Sequence, residues 1–259
     1  MRFAESRQSV PSRLSALSLP LALLVAGCAA GPQSGSAQKQ IAGPASQVAG
    51  KSYANPTEII GAEVAANLLA EADGQWTALG DFAAEGAVMF VPQPVLARQW
   101  LNGRPNPVKP DAWRPHVSWV SCDGTLGAAE GAWQGSDGTR GYFVGVWQLQ
   151  PDGEYKWVMR DTGKLAKPLE TPEMLAGTVA DCGPLPPALA AADPVEGIQR
   201  GGASTDGTLR WSTRVDPWCG RIVTVSVYDA ERQAMETVVT RRVDPPLGSN
   251  GKPAQSCTG

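Results

Sequence analysis

The chain has 259 residues, a formal charge of −3, and a composition high in Gly (29), Pro (22) and Trp (9). That length supports one large domain or two small ones built from strands, turns and aromatic cores. Mild acidity without basic clusters excludes a nucleic-acid partner and leaves no charge to hold an anionic lipid surface.

Residues 1–27 read as an export signal. Arg2, Arg7 and Arg13 form a positive start, and Leu14 to Ala26 is an apolar run too short to span a bilayer. The run ends in Val25-Ala26-Gly27-Cys28, which resembles the bacterial lipobox with Val where Leu is most common. The resemblance implies that Cys28 is acylated and becomes the first mature residue. Its partner is then a lipid bilayer, since two or three acyl chains anchor far better than one. Ala29, rather than Asp, after the cysteine implies the periplasmic side of the outer membrane. The alternative is a plain signal cut near Ala29 or Ala30, giving a soluble periplasmic protein. Removing Cys28 leaves Cys122, Cys182, Cys219 and Cys257. In an exported chain these predict two disulfides, with three pairings open.

Residues 28–54 are Gly-, Ala-, Ser- and Gln-rich and predict a flexible tether. Asn55-Pro56-Thr57-Glu58 then opens a first helix, with a cap, a first-turn proline and a capping-box acid. Ile60, Val64 and Leu68 repeat at four-residue spacing and predict its core-facing stripe, with Ala65 and Leu69 beside them. Gln75 to Ala84 reads as a second helix with Trp76 and Leu79 inward, and Ala87 to Val91 as a short strand. A third helical turn is expected within Val95 to Leu101. Val117–Ser121 and Leu126–Gln134 form the next strands around Cys122-Asp123-Gly124.

The densest pattern runs from Gly141 to Asp161. Phe143, Gly145, Trp147 and Leu149 alternate with Tyr142, Val144, Val146 and Gln148, then Pro151-Asp152-Gly153 turns the chain. Tyr155, Trp157, Met159 and Asp161 follow on one side of the return strand. Glycines 127, 131 and 145 inside strands predict strong bending. Beyond Thr162, a short helix is expected at Pro172–Thr178 and a covered loop at Cys182–Asp193. Three strands follow, at Thr208–Val215, Arg221–Tyr228 and Met235–Val243, and a tail closes the chain.

The run from Gly74 to Phe90, followed by Trp133, Gly141-Tyr142-Phe143, Trp147, Asp152-Gly153 and Trp157, resembles the NTF2-like superfamily. That group includes ketosteroid-isomerase-like and SnoaL-like domains, and the chain looks like exported alphaproteobacterial proteins of that fold. The resemblance covers about residues 56 to 162. The order of elements predicts an α+β fold, the resemblance implies a cone of N-terminal helices against a strongly curved antiparallel sheet, and the strands predicted beyond Thr162 make residues 163–259 a small antiparallel β extension. Residues 55–162 are then the NTF2-like domain.

The implied cone has an interior pocket, with Trp76, Phe90, Tyr142, Phe143, Trp147, Tyr155 and Trp157 as candidate lining. The same rings serve equally well as plain core. For chemistry, His116 is the one histidine and a base near neutrality. A ketosteroid-isomerase-like site combines an acid with a phenol, here Asp161 or Asp81 with Tyr142 or Tyr155. A single histidine and no CxxC pair leave no metal site, and no phosphate loop or other cofactor motif is present. The leading expectation is non-catalytic binding of a small apolar ligand or an envelope protein partner, a second copy of the chain included. The alternatives are proton abstraction or hydration in the cone, or a structural envelope role.

Overall fold

A computed structural model describes residues 54–183, 197–253 and Cys257, together with the backbone of two paired two-residue strands, β1 (Gln47–Val48) and β2 (Lys51–Ser52). Cys28, most of the expected tether and most of the expected loop from Cys182 to Asp193 lie outside these residues. Helix α1 spans Pro56–Asp73, and the Asn55 side chain accepts from Thr57 N–H at 3.1 Å, as its capping sequence requires. The face it buries is not the expected one. Val64 and Leu68 are 43% and 59% exposed, whereas Ile59, Glu63, Ala66 and Ala70 are buried. Small side chains let the helix lie close against the sheet, and large ones on that face would hold it away. Two strand glycines serve the same approach. A Cβ at Gly127 would strike Ile59, and one at Gly145 would strike the Glu63 carboxylate.

Helix α2 (Gln75–Phe82) follows, then β3 (Ala83–Phe90), β4 (Pro94–Leu96) and a single helical turn, α3 (Ala97–Leu101). Four long strands come next: β5 (Ala112–Val120), β6 (Leu126–Gln134), β7 (Arg140–Leu149) and β8 (Tyr155–Lys164). The expected helix at Pro172–Thr178 is absent. Its sequence holds too little apolar surface to stabilise a helix, and Ala176–Val179 instead forms β9, parallel to β5. The result is a curved seven-stranded sheet in the order β4-β3-β8-β7-β6-β5-β9, mostly antiparallel, with β3–β8 and β5–β9 parallel.

The C-terminal strands form a separate four-stranded antiparallel sheet: β10 (Ile198–Ala203), β11 (Leu209–Val215), β12 (Arg221–Asp229) and β13 (Ala234–Val243). Strand β10, a Gly-rich edge whose one large apolar residue is Ile198, is the one the alternation did not reveal. The helices and the four-stranded sheet lie on opposite faces of the larger sheet. One core joins the helices to Phe143, Trp147 and Trp157. The other joins Tyr142, Val144, Val146 and Met159 to Leu209, Val223, Val225, Val227 and Val239.

A bulge in β8 sorts side chains between these cores. Trp147 pairs with Trp157, but Val146 pairs with Met159, so Val158 is an extra residue. Strict alternation therefore fails at Val158. Trp157 keeps the helix side, while Met159 and Asp161 turn to the four-stranded sheet and Arg160 turns to the helices.

The two sheets are clasped by a pair of like turns. Ser121–Leu126 and Ser204–Leu209 both read Ser-X-Asp-Gly-Thr-Leu. In each turn the Ser hydroxyl donates to the Asp Oδ1 at 2.6 Å. Across the turns, Asp123 N–H donates to Asp206 Oδ2 at 2.9 Å and Asp206 N–H returns to Asp123 Oδ2 at 2.8 Å. The neighbouring amides of Cys122 and Thr205 donate to Thr208 Oγ1 and Thr125 Oγ1, both at 2.9 Å. Cys122 is bonded to Cys182 and Cys219 to Cys257, which selects one of the three pairings.

Burial raises the Asp206 carboxyl, but hydrogen bonds from Ser204, Thr208 and the Asp123 amide outweigh it and hold the group below its ordinary value. Its folded pKa is therefore depressed. The stability it contributes is present above the unfolded value of about 3.9 and is lost as pH falls through the folded value. Asp206→Ala is expected to cost about 2–3 kcal/mol in urea unfolding at pH 7. That cost should shrink as the pH is lowered below about 4; a cost independent of pH would contradict the clasp.

Candidate functional site

Glu63 is the one acid on the buried face of α1, and it is 0% exposed. Its Oε1 accepts from Trp147 Nε1–H at 2.8 Å and its Oε2 from Arg160 Nη1 at 3.0 Å. Gly145 on β7 leaves the space for this carboxylate and stands directly opposite Arg160 on β8. The guanidinium lies between rings, 4.5 Å from the Trp113 centroid and 5.1 Å from that of Phe143. A buried charge needs such a set, because either partner alone would be costly in this surrounding.

Aromatic rings fill the space on the helix side of the sheet. Phe143, Trp147 and Trp157 are 0% exposed. Trp157 Nε1–H donates to Leu79 O at 3.0 Å, and Phe82 meets Trp147 edge-on at 6.0 Å. Three of the candidate pocket residues are thus core. At one end of this layer lies a cavity of about 150 Å³, between the start of α2, the end of β3 and the start of β5. Trp76, Leu79, Met89, Phe90, Trp113 and Trp133 give it apolar walls, and Gln75, Asp111, Arg160 and Thr162 give it polar ones. Two of the expected lining residues, Trp76 and Phe90, are therefore here. Asp111 accepts three hydrogen bonds: its Oδ2 from Gln75 Nε2 at 3.1 Å and Trp133 Nε1 at 3.3 Å, its Oδ1 from Ser136 N–H at 2.9 Å.

The candidate catalytic residues do not converge on this cavity. Tyr142 and Asp161 do pair, with the phenol donating to Asp161 Oδ2 at 3.0 Å, but between the two sheets. The bulge at Val158 put Asp161 on that face, against the expectation that it follows Trp157 inward. Arg221 Nε donates to Asp161 Oδ1 at 2.6 Å, so the pair is a buried strut joining β8 to β12. Burial pushes the Asp161 carboxyl up, opposed by Arg221 and by the Tyr142 hydroxyl. Burial and the adjacent Asp161 charge push the Tyr142 phenol up as well.

Asp81 and Tyr155 line a different cavity of about 400 Å³ with Glu58, Phe82 and Lys156. The Tyr155 hydroxyl donates to Gly124 O at 2.5 Å, and burial raises its pKa. His116 is the extra residue of a bulge in β5 and lines an open groove with Arg114 and Arg140. Burial and Arg114 lower its pKa, with Glu130 opposing. The two acid–phenol sets and the histidine therefore occupy three separate places. Among the described residues no group of three or more His, Cys, Asp or Glu is placed to hold a metal ion.

Sequence reading passed over Glu63 and Trp113. A signal existed for the first: Ile59, Glu63, Ala66 and Ala70 form a helical stripe of small residues with one acid. It was outcompeted by the larger side chains of Ile60, Val64 and Leu68.

No protein-family model and no curated protein matches the chain. Among solved structures, a ketosteroid isomerase candidate from Parabacteroides distasonis is similar at 16% identity and TM-score 0.35, covering 44% of this chain and 96% of its own. An aromatic ring hydroxylase candidate from Novosphingobium aromaticivorans has 14% identity and TM-score 0.33, covering 43% and 90%. A ketosteroid isomerase candidate from Shewanella frigidimarina has 13% identity and TM-score 0.32, covering 43% and 99%.

Proposed function

We propose that this chain is an exported, lipid-anchored domain of NTF2-like type that binds a small, largely apolar molecule and does not transform it. The observation that carries this reading is the small cavity at the end of the helix-side layer, walled by Trp76, Phe90, Trp113 and Trp133, whose carboxylate, Asp111, already accepts three hydrogen bonds. A cavity of about 150 Å³ matches a single ring in size, not a fused polycycle. The proton-abstraction alternative needs an acid and a free phenol open to one cavity: the Tyr142–Asp161 pair is buried and tied to Arg221, and in the cavity that Asp81 and Tyr155 share, the phenol is committed to Gly124 O. An envelope protein partner is supported by β10, an edge strand among the described residues, whose Gln199–Ala203 are exposed.

Export and anchoring rest on the signal and lipobox around Cys28. The two disulfides agree with an oxidising compartment. No helix among the described residues is long and apolar enough to cross a membrane, so acyl chains on Cys28 are the proposed hold.

Styrene is expected to bind the purified protein with a Kd of about 0.1 mM in calorimetric titration, and Met89→Trp, which fills the cavity, to abolish that binding. Binding that persists in Met89→Trp would place the ligand elsewhere. In a bacterial host, Cys28→Ser should move the protein from the detergent-soluble membrane fraction to the soluble fraction. Unchanged membrane association would rule out the acyl anchor.

A further inference from the structure

The cavity that the proposed function relies on has a polar corner with a particular chemistry. Arg160 is 6% exposed and Trp113 is 5% exposed, and both line it. Arg160 spends Nη1 on Glu63, but its Nη2 is buried with no hydrogen-bond partner among the described residues. The Trp113 indole N–H is buried in the same condition. The two side chains are stacked, the guanidinium 4.5 Å from the Trp113 ring. Buried donors left unpaired are costly, on the order of 1–3 kcal/mol each, and a molecule that supplies an acceptor recovers that cost.

Charge decides which acceptor. The Arg160 cation is already matched by Glu63 at 3.0 Å, and Asp111 adds a second carboxylate to the same wall. An anionic ligand would bring a further negative charge into a buried site where the carboxylates already outnumber the cation. A neutral carbonyl oxygen brings two lone pairs and no charge. We infer that the cavity takes a small, ring-sized, uncharged carbonyl compound, its oxygen held by the Arg160 Nη2 and Trp113 Nε1 donors and its ring by the aromatic walls. This rests on the binding reading above and adds the class of ligand.

The test compares three probes of one size by calorimetry on the purified chain: benzaldehyde, its near-isostere styrene, which lacks the acceptor, and benzoate, which carries a charge. Benzaldehyde is expected to bind roughly tenfold tighter than styrene, and tighter than benzoate at neutral pH. Trp113→Phe removes one donor and keeps a ring. It should reduce the benzaldehyde advantage several-fold and leave styrene nearly unchanged. Arg160→Met combined with Glu63→Gln removes the other donor without stranding a buried charge, and should reduce the advantage further. Equal binding of benzaldehyde and styrene overturns the carbonyl assignment and leaves the pocket standing. So does an advantage that survives both variants. Tightest binding by benzoate overturns the neutral-ligand argument. Failure of all three probes to bind overturns the pocket itself.

Discussion

A carboxylate and a guanidinium share the interior of a layer otherwise filled by aromatic rings, and much of the molecule is arranged to permit it. Glu63 and Arg160 are held at 3.0 Å with both side chains nearly inaccessible to water. Such a pair contributes little net stability compared with an apolar replacement, but losing one partner is expensive. Its value here is positional. Glu63 also takes the indole proton of Trp147, so one acid fixes the largest ring of the core and orients the guanidinium. Gly145 must lack a side chain for the acid to enter, and α1 must present alanines for the helix to come close. The cavity at the end of this layer inherits its polar corner from that arrangement, because Arg160 has one nitrogen committed to Glu63 and one left over.

The other side of the large sheet answers a different need. A sheet covered by helices on one face has a second face to bury, and here the four-stranded sheet does it. The polar links across this boundary include charge-assisted and reciprocal ones. Asp161, which also accepts from Tyr142 on its own sheet, meets Arg221, Glu130 meets Arg241, and the two Ser-X-Asp-Gly-Thr-Leu turns exchange hydrogen bonds from backbone amides to carboxylates. Residues that resemble a catalytic pair in isolation are therefore part of the joint between the sheets. Their perturbed protonation follows from burial, and burial by itself does not make a site.

Much of the framework was readable. Asn55-Pro56 gave the start of α1, and the alternation around Trp147 gave the β7–β8 hairpin. Leu126–Gln134 was placed to the residue, and the mixed helix-and-sheet class followed from the order of elements. The errors have identifiable causes. Periodicity weighs side-chain size, so it selected Val64 and Leu68 over a stripe of alanines whose merit is that they are small. Alternation assumes an unbroken ladder, so it could not see Val158 bulge out and exchange the faces of Arg160 and Asp161. Strand β10 carries Gly201 and Gly202 and offered no apolar alternation to read. The paired turns left a plain trace in the repeated hexapeptide at 121–126 and 204–209, but what the repeat does depends on the two copies meeting in space. The candidate site was the least legible part, since its polar corner joins α1, β5 and β8, which are distant in the chain.

The arrangement stands or falls on whether Glu63 and Arg160 depend on each other, and a double-mutant cycle in urea unfolding measures that. Glu63→Gln and Arg160→Met should each cost about 3–5 kcal/mol, because each leaves a buried charge without its partner. The double variant should cost less than either single change, which gives a coupling of several kcal/mol. If the two costs simply add, the charges are solvated independently, and neither the filled interior nor the oriented guanidinium can be correct.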